Sequence, residues 1–319
     1  MKAAVLHELG KLPRYEEFSE PRAESGEVVI KVRAASLKAV DRQMAAGSHY
    51  ASPKQLPAIC GIDGLGTLPD GTRVYFGGPR APFGAMAEFT VAREVFCFPI
   101  PETLDDATAA ALPNPGVSAY LVLAHHARLV KGERVLILGA TGTAGRLAVQ
   151  IAKLLGASLV VAAGRNNGAL QRLHDVGADA TVQLNQPEAE LIENFVREGG
   201  KEGFHVVVDF VWGRSTELFL AAITQTEIAA AGPETRLIQV GESAAPTISL
   251  PAAVLRSRAL TIRGTAGIPD REILTAAMKR VLDWASNGSL VISTESVPLS
   301  DVEQAWQRTD RTRRLVLIP

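Results

Sequence analysis

The stretch "VLILGATGTAGRLAVQIAKLLGA", Val135–Ala157, spaces three glycines evenly, at Gly139, Gly142 and Gly145. The apolar run before the first glycine is typical of a buried parallel strand, and the apolar spacing after the third predicts an amphipathic helix. In a nucleotide phosphate site, the first glycine permits a tight turn, the second lets a pyrophosphate approach the backbone, and the third lets helix pack on strand. The N–H groups at the start of the helix would then hold the phosphates.

The spacing of this turn leaves an alternative open. It is G-x-x-G-x-x-G rather than the commoner G-x-G-x-x-G, and a plain corner between a strand and a helix also favours glycine. In the phosphate interpretation, the hydroxyl groups of two threonines add further donors. The predicted cofactor-binding residues of the turn are Gly139, Ala140, Thr141, Gly142, Thr143, Ala144 and Gly145.

Strands and helices alternate around the turn, and this pattern decides the fold class. Apolar runs occur at "RVLILG", "SLVVAAG", "TVQL", "HVVVDFV", "RLIQVG" and "ALTIRGT", with helical segments between them. Alternation of this kind predicts an α/β fold with a Rossmann, doubly wound, six-stranded parallel sheet. Segments nearer the N-terminus, such as "EVVIKVRAAS", predict a mostly β domain. Between the two, we expect a helix capped by Asp105 or Asp106 and a second helix beginning near Gly116.

The second predicted strand ends in "AAGRN", and this segment indicates which dinucleotide binds. An NAD site usually places an acidic residue about 20 residues beyond the glycines, to bind the ribose 2′-hydroxyl. Here no Asp or Glu occurs between Gly145 and Leu170, and Gly164, Arg165 and Asn166 occupy the place. A guanidinium binds a 2′-phosphate with charge-assisted hydrogen bonds, so we expect NADPH rather than NADH. The alternative is that Arg165 is an ordinary surface arginine.

Composition excludes several classes of partner. The chain has 319 residues, with 33 basic and 34 acidic side chains, so nothing favours a nucleic acid or an anionic membrane surface. Two cysteines in a chain of this size indicate a reducing compartment. We read no secretory leader and no apolar run long enough for a membrane helix, so the expected location is the cytoplasm.

Further motifs extend the pattern along the chain: "GIDG" at 61–64, "GAMAEF" at 84–89, "VVVDFVWG" at 206–213 and "PLSDVEQAW" at 298–306. With these motifs, essentially the full length resembles the medium-chain dehydrogenase/reductase superfamily, in its zinc-independent quinone oxidoreductase branch. The resemblance implies a GroES-like, mostly β catalytic domain over 1–116 and 267–319. It implies a Rossmann NADPH-binding domain over 117–266. It also implies a homodimer, paired through the strand "ALTIRG".

Departures from the zinc-dependent members of that superfamily narrow the expected chemistry. Zinc alcohol dehydrogenases take a cysteine and a histidine ligand from segments that here carry Lys38 and Ile62. Their structural zinc needs four close cysteines, whereas this chain has only Cys60 and Cys97. We therefore predict no metal, and so no Lewis acid to polarise a carbonyl group. The expected function is an NADPH-dependent, zinc-free reductase that transfers hydride to quinones or α,β-unsaturated carbonyl compounds.

Three residues are candidates for catalytic roles: Lys38, His49 and Tyr50. The Lys38 ammonium would stabilise a developing oxygen anion, or it pairs with Asp41 or a cofactor phosphate. Either His49 or Tyr50 would donate a proton, unless both are solvent-exposed loop residues; water is a further proton source. We expect Asp41 to be a structural hydrogen-bond acceptor. By resemblance, further cofactor-lining positions are Ser118, Gly241 and Thr265.

Two rival functions remain open on the sequence alone. An enoyl-thioester or acrylate-type reductase would need a basic groove for its large substrate, and Lys38, Arg42 and Lys54 are the basic residues that hint at one. A non-catalytic NADPH-binding protein, with a sensing or structural role, would share the same fold. Turnover of NADPH with a panel of acceptors separates these hypotheses.

Overall fold

The computed structural model describes residues 1–225, 233–265, 270–309 and 312–319. The chain divides into two compact units. The first unit comprises Met1–Asn114 and Met278–Pro319, and the second comprises Pro115–Ala277. The predicted domain boundary between residues 266 and 267 lies outside the described residues, so the domain bounds expected from the sequence stay a prediction.

The N-terminal part of the chain is rich in strands. Its strands are β1 (Lys2–Leu6), β2 (Arg14–Glu17), β3 (Glu27–Ser36), β4 (Ala58–Ile59), β5 (Asp63–Thr67), β6 (Arg73–Gly77), β7 (Phe89–Arg93) and β8 (Cys97–Pro99). Its helices are α1 (Ala39–Ala46), α2 (Asp106–Ala111) and α3 (Pro113–Tyr120), the last continued by a π-helical stretch at Leu121–His126.

Strands and helices alternate in the middle of the chain, and a short tail follows. The middle strands are β9 (Arg134–Leu138), β10 (Leu159–Gly164), β11 (Ala180–Gln183), β12 (Val206–Asp209), β13 (Thr235–Gln239) and β14 (Leu260–Gly264). The accompanying helices are α4 (Thr143–Leu154), α5 (Asn167–Gln171), α6 (Glu188–Gly199), α7 (Arg214–Gln225) and α8 (Ala252–Ser257). The tail contains α9 (Arg271–Ser286), β15 (Thr294–Pro298), α10 (Val302–Gln307) and β16 (Arg314–Ile318).

A seven-stranded sheet organises the first unit. Its order is β15-β16-β3-β5-β6-β8, with β7 also paired to β3, and a separate three-stranded sheet has the order β2-β1-β4. Along β3, Ile30 and Val32 are buried while Lys31 is exposed, which is the alternation of a strand with one face on the core. The tail strand β16 joins β3 with Val316 opposite Ser36. The core between these elements includes Ile30, Phe76, Met86, Trp306 and Leu317.

A six-stranded parallel sheet organises the second unit, in the order β11-β10-β9-β12-β13-β14. Val135, Leu136 and Ile137 of β9 are fully buried, as expected of a central strand covered on both faces. This is the doubly wound strand order, and the chain direction across the sheet reverses between β9 and β12. The predicted fold class is confirmed: a mixed α/β chain with six parallel strands and a separate, mostly β unit.

The helical segment that follows the first eight strands begins earlier than predicted. Asp105 caps α2 by accepting a hydrogen bond from the Thr108 N–H at 2.9 Å, as one of the two expected caps. The next helix, however, begins at Pro113 rather than near Gly116. Proline lacks only an N–H that the first turn of a helix cannot use, and its fixed φ suits a helix start, so a proline does not exclude the position.

None of the helices in the described ranges combines the length and the apolar character that a bilayer-spanning segment requires.

Candidate functional site

The glycine turn joins β9 to α4 in the second unit. At two of its positions, packing within the chain leaves no room for a side chain. Gly139 has a φ of +86°, and a Cβ there would lie 2.8 Å from Cγ1 of Val211. A Cβ on Gly145 would lie 2.4 Å from the Gly139 carbonyl oxygen and 2.6 Å from Cα of Ala140. These are backbone atoms that no side-chain rotation can move. The first and third glycines therefore allow the tight turn and the close packing of helix on strand that the sequence predicted.

The middle glycine is different. Gly142 is exposed, and the nearest atom to a Cβ there would be the Gly139 carbonyl oxygen at 3.4 Å, an ordinary van der Waals distance. Packing within the chain therefore does not require glycine at this position. The space beside the Gly142 backbone is open, and this is where a phosphate group would approach.

The start of α4 offers hydrogen-bond donors to this open space. The N–H groups of Thr143, Ala144 and Gly145 belong to the first turn of a twelve-residue helix, so no carbonyl of that helix can accept from them. No other described backbone carbonyl accepts from them either. The first turn carries no acidic side chain. Free donors together with the positive end of the helix dipole make this turn suited to bind an anion.

Arg165 follows β10 immediately, on the same sheet edge as the glycine turn. Its side chain is exposed and forms neither a hydrogen bond nor an ion pair with the described residues. Gly164 packs against the turn, because a Cβ there would lie 2.6 Å from Cγ2 of Thr141. Asn166 accepts a hydrogen bond from the Ala169 N–H at 2.9 Å and so caps α5. The structure therefore brings Gly164 and the turn together and leaves the Arg165 guanidinium available to a ligand.

Asp209, at the carboxyl end of β12, completes this edge of the sheet and was not predicted as a site residue. Its side chain is fully buried and accepts hydrogen bonds from Val211 N–H at 2.9 Å, Trp212 N–H at 2.8 Å and Thr216 Oγ1 at 2.5 Å. Burial raises the pKa of the Asp209 carboxyl, and these hydrogen bonds offset only part of that rise. An acidic residue that ends an otherwise apolar strand was the signal in the sequence that could have found it.

The other predicted cofactor-lining residues also belong to the second unit. Gly241 follows β13 and donates its N–H to the Asp209 carbonyl oxygen at 3.2 Å. Thr265 follows β14, and its hydroxyl donates to the Gln239 carbonyl oxygen at 3.5 Å. Ser118 lies on α3 and is half-buried. Gly241 and Thr265 therefore share the carboxyl edge of the sheet with the glycine turn.

A buried charge cluster lies in the first unit, around Lys38. The side chain of Lys38 is only 3% exposed. Its Nζ donates to Oδ1 of Asp63 at 3.0 Å and to the Ser36 carbonyl oxygen at 2.9 Å, and it lies 3.4 Å from Oδ2 of Asp41. Burial by itself lowers the pKa of Lys38, but the two carboxylates outweigh it, so the net pKa is raised. Burial also raises the pKa of Asp63, against the opposing effect of the Lys38 charge.

These contacts correct the expectation of a Lys38 ammonium free to reach a substrate oxygen. Of the alternatives open at the sequence level, the structure shows pairing with Asp41, and it adds Asp63 as a second partner. Asp41 is a structural acceptor, as predicted: its Oδ2 accepts from the Lys38 N–H at 2.8 Å and its Oδ1 from the Ile62 N–H at 3.2 Å. Asp63 was missed because its partner is 25 residues away in sequence.

His49 and Tyr50 lie in the first unit after α1, where Tyr50 is exposed and His49 is half-buried. Tyr50 is 95% exposed, and its ring centroid lies 4.1 Å from that of His49. Nδ1 of His49 accepts from the Ala51 N–H at 3.1 Å. The structure therefore brings these two predicted residues together. Unlike Lys38, neither of them is buried.

Comparison with known proteins agrees with this arrangement. The zinc-binding dehydrogenase family matches residues 144–287. The chain is 32% identical over 199 residues to a quinone oxidoreductase of Rattus norvegicus, covering 60% of this chain and 59% of that protein. A quinone oxidoreductase of Thermus thermophilus, solved alone and with NADPH, aligns over 100% of both chains with 28% identity and a TM-score of 0.83.

The family model and the quinone oxidoreductase relatives support the medium-chain dehydrogenase/reductase superfamily, in its quinone oxidoreductase-like branch. The chain is also similar to a 2-methylene-furan-3-one reductase of Solanum lycopersicum, with 33% identity over 208 residues, which are 60% of this chain and 51% of the tomato protein. The matched stretch thus spans less than two thirds of either curated relative. The Escherichia coli quinone oxidoreductase solved with NADPH, at 20% identity and a TM-score of 0.86, shares the fold over 100% of both chains.

Zinc, which the name of the matching family implies, does not fit the residues found here. Nowhere in the described chain do three His, Cys, Asp or Glu side chains come together in a way that could hold a metal ion. Lys38 carries a positive charge into the buried cluster with Asp41 and Asp63, which opposes a second cation there. Burial raises the pKa of the Cys60 thiol, which disfavours the thiolate that a metal needs.

Proposed function

We propose that this chain is an NADPH-dependent oxidoreductase that transfers hydride to quinones or α,β-unsaturated carbonyl compounds without a metal. The observation that carries the proposal is the glycine turn, with its open Gly142 backbone and its unused N–H groups, on the same sheet edge as Arg165. The names of the rat and tomato relatives cover both acceptor classes.

The residues of the second unit fit NADPH. The N–H groups of Thr143, Ala144 and Gly145 would hold the pyrophosphate, and the guanidinium of Arg165 would bind the 2′-phosphate. Further contacts would come from Ser118, Gly241 and Thr265. When bound, the nicotinamide supplies the hydride; the protein supplies orientation and a positive electrostatic environment for the phosphates.

The proton that completes the reduction needs a source. The Lys38 ammonium is a poor one because it donates hydrogen bonds to the carbonyl and hydroxyl oxygens of Ser36 and to Asp63. We propose the half-buried His49 or the exposed Tyr50 as the proton donor, with water as the competing donor. Comparing turnover of Tyr50→Phe and His49→Gln with the wild type separates the three sources. A water donor predicts no loss in either variant.

The experiment that tests the function has two stages. Binding of NADPH and NADH to the purified protein is measured by calorimetry, and NADPH oxidation is then followed with a panel of quinones and enones. We expect tighter binding of NADPH than of NADH, and turnover with at least one acceptor. Tight NADPH binding without turnover on any acceptor would support the non-catalytic alternative, and equal affinity for both cofactors would contradict the role of Arg165.

The thioester alternative loses support from the side chains expected to form its basic groove. Lys38 is buried within its ion pairs. The guanidinium of Arg42 donates to the carbonyl oxygens of Arg308 at 3.1 Å and Ala305 at 3.2 Å. Two of the three basic residues are therefore engaged inside the first unit.

We also propose that the chain forms a homodimer through β14. Among the described strands, β14 pairs only with β13, so its other edge presents backbone groups for a second copy. Light scattering after size exclusion tests this proposal, and a monomer mass would contradict it.

We further propose that the protein is located in the cytoplasm, because its two free cysteines fit a reducing compartment. Cell fractionation tests this proposal.

A further inference from the structure

The loop that follows β12 fills a narrow space between two glycines. A Cβ on Gly139 would lie 2.8 Å from Cγ1 of Val211 and 3.2 Å from Cβ of Phe210. A Cβ on Gly241 would lie 2.8 Å from the Phe210 carbonyl oxygen. The segment 210–211 is therefore packed against the phosphate turn on one side and against the loop after β13 on the other. The segment lies where the strand order reverses, which is where a doubly wound sheet forms its nucleotide-binding crevice.

The carboxylate of Asp209 holds this loop in its conformation. Oδ1 accepts from the N–H groups of both Val211 and Trp212, and Oδ2 accepts from the Thr216 hydroxyl at the start of α7. Trp212 has a φ of +57°, a left-handed backbone conformation that residues other than glycine rarely adopt. A residue in that conformation persists only where its surroundings fix it, and here two hydrogen bonds to one carboxylate do so.

The backbone of Asp209 links the same loop to its neighbours. Its carbonyl oxygen accepts from the N–H groups of Val240 at 2.8 Å and Gly241 at 3.2 Å. The adjacent Phe210 N–H donates to the Leu138 carbonyl oxygen of β9 at 3.1 Å. Asp209 thus joins the loop after β12 to the loop after β13, and the neighbouring Phe210 joins it to the end of β9.

We propose that Asp209 is a positioning residue of the cofactor site, which sets the crevice for the half of the dinucleotide that lies over β12, β13 and β14. This inference rests on the proposed function. A doubly wound sheet consists of two mononucleotide-binding halves, one on each side of the reversal. Arg165 and the 2′-phosphate belong to the half built from β9, β10 and β11. Asp209 belongs to the other half.

This division predicts that two ligands respond differently to a change at Asp209. Adenosine 2′,5′-bisphosphate presents only the half that Arg165 serves. NADPH spans both halves. Loss of the Asp209 carboxylate leaves two part-buried N–H groups without their acceptor and frees the loop, so NADPH affinity falls while the bisphosphate affinity is retained.

The test compares dissociation constants of both ligands, by calorimetry, for the wild type, Asp209→Ala and Asp209→Asn. We expect Asp209→Ala to weaken NADPH binding by about tenfold or more, because the loop loses the acceptor of two part-buried N–H groups, with the bisphosphate dissociation constant unchanged. The asparagine side chain retains an oxygen for the two N–H groups, so Asp209→Asn should restore NADPH binding to within about threefold of the wild type.

Asp179→Ala is the matched control. Asp179 also accepts from a backbone N–H, that of Val160 at 2.7 Å, and pairs with Lys153 at 3.1 Å, but it lies just before β11, at the opposite edge of the sheet. We expect lower thermal stability without a change in either dissociation constant. A control variant that loses NADPH affinity as Asp209→Ala does would overturn the inference, because general destabilisation would then account for the result.

If Asp209→Ala does not fold, Thr216→Val replaces it in the test. We expect Thr216→Val to weaken NADPH binding by about threefold and to leave the bisphosphate dissociation constant unchanged. Equal losses for the two ligands in either variant overturn the positioning role. Wild-type protein that does not bind NADPH, whether or not it binds the bisphosphate, contradicts the proposed function itself. If the wild type binds NADPH and Asp209→Ala binds it equally well, only the positioning role is overturned.

Discussion

Lys38 and Gly142 occupy equivalent positions at two corners of the chain, each of which leads from a strand into a helix. Each is the cap residue of a helix that follows a buried strand: α1 after β3, and α4 after β9. At the first corner, the Asp41 carboxylate accepts from the Lys38 N–H, and Asp63 pairs with the Lys38 ammonium. At the second corner, the first turn contains no acidic residue and its N–H groups stay unused.

The difference shows how a helix start becomes structural or ligand-binding. Where the chain supplies its own anion, the corner is closed and contributes to stability. Where the chain supplies none, and a glycine leaves the approach open, the corner can accept an external phosphate. Substitutions at the first corner should therefore change stability, and substitutions at the second should change affinity.

The largest expected effect is on stability, at Lys38. Lys38→Met leaves two buried carboxylates without their cation, and removal of one partner from a buried ion pair costs about 3–5 kcal/mol in free energy of unfolding. Urea denaturation measures the loss. Lys54→Met, on the exposed loop after α1, is the matched control and should change stability by no more than about 0.5 kcal/mol. A similar small change for Lys38→Met would contradict the closed-corner interpretation.

The same variant should show a characteristic pH dependence. The folded pKa of Asp63 is already raised in the wild type, and removal of the ammonium raises it further. A carboxyl whose pKa is higher in the folded than in the unfolded protein binds its proton more tightly when the protein is folded. Its contribution to the free energy of unfolding is therefore largest below the unfolded pKa and falls as pH rises through the folded pKa. The deficit of Lys38→Met should therefore be larger at pH 8 than at pH 5. A deficit independent of pH would exclude Asp63 as the cause.

Gly145 provides the next largest effect, because here the second corner has a structural requirement. In Gly145→Ala the new Cβ meets backbone atoms at 2.4 and 2.6 Å, and overpacking of this kind costs about 1–3 kcal/mol. Gly168→Ala, in α5, is the control, since its Cβ would meet no atom closer than 3.6 Å. Thermal unfolding of both variants checks the prediction. Equal stability of the two would show that the turn can relax.

Arg165→Ala should affect binding and not stability. Loss of charge-assisted hydrogen bonds to the 2′-phosphate should weaken NADPH binding by about tenfold or more. NADH lacks that phosphate, so its dissociation constant is the internal control and should not change. Calorimetric titration with both cofactors gives the answer, and a parallel loss for NADH would assign Arg165 another role.

The smallest effect is expected at Tyr50. With its ring 95% exposed, Tyr50→Ala should change the free energy of unfolding by no more than about 0.5 kcal/mol in urea denaturation. A loss well above that value would mean that the ring packs against a surface, such as a second copy of the chain.

Periodicity and glycine spacing predicted the second unit well because they act locally. Each of the six apolar runs became a strand of the parallel sheet, and Gly142 caps α4 next to the expected turn. Arg165 was equally accessible to prediction, since its distance from the glycines along the sequence follows from the length of one helix and one strand.

The remainder depended on contacts that no local pattern encodes. Lys38 pairs not only with nearby Asp41 but also with Asp63 of β5, 25 residues away in sequence. The role of Asp209 emerges only when the loops after β9 and β13 meet the loop that it holds. The predicted start of α3 near Gly116 was wrong because Pro113 fits the first position of a helix.

The open corner is tested most directly by titrating Gly142→Ala with NADPH beside the wild type. The added Cβ meets no protein atom closer than 3.4 Å, so the free energy of unfolding should stay within about 1 kcal/mol of the wild type. The methyl group would occupy the space that a phosphate needs, and NADPH binding should weaken by about tenfold or more. Full NADPH affinity in this variant would show that the phosphates do not approach the backbone at Gly142, and would contradict the account.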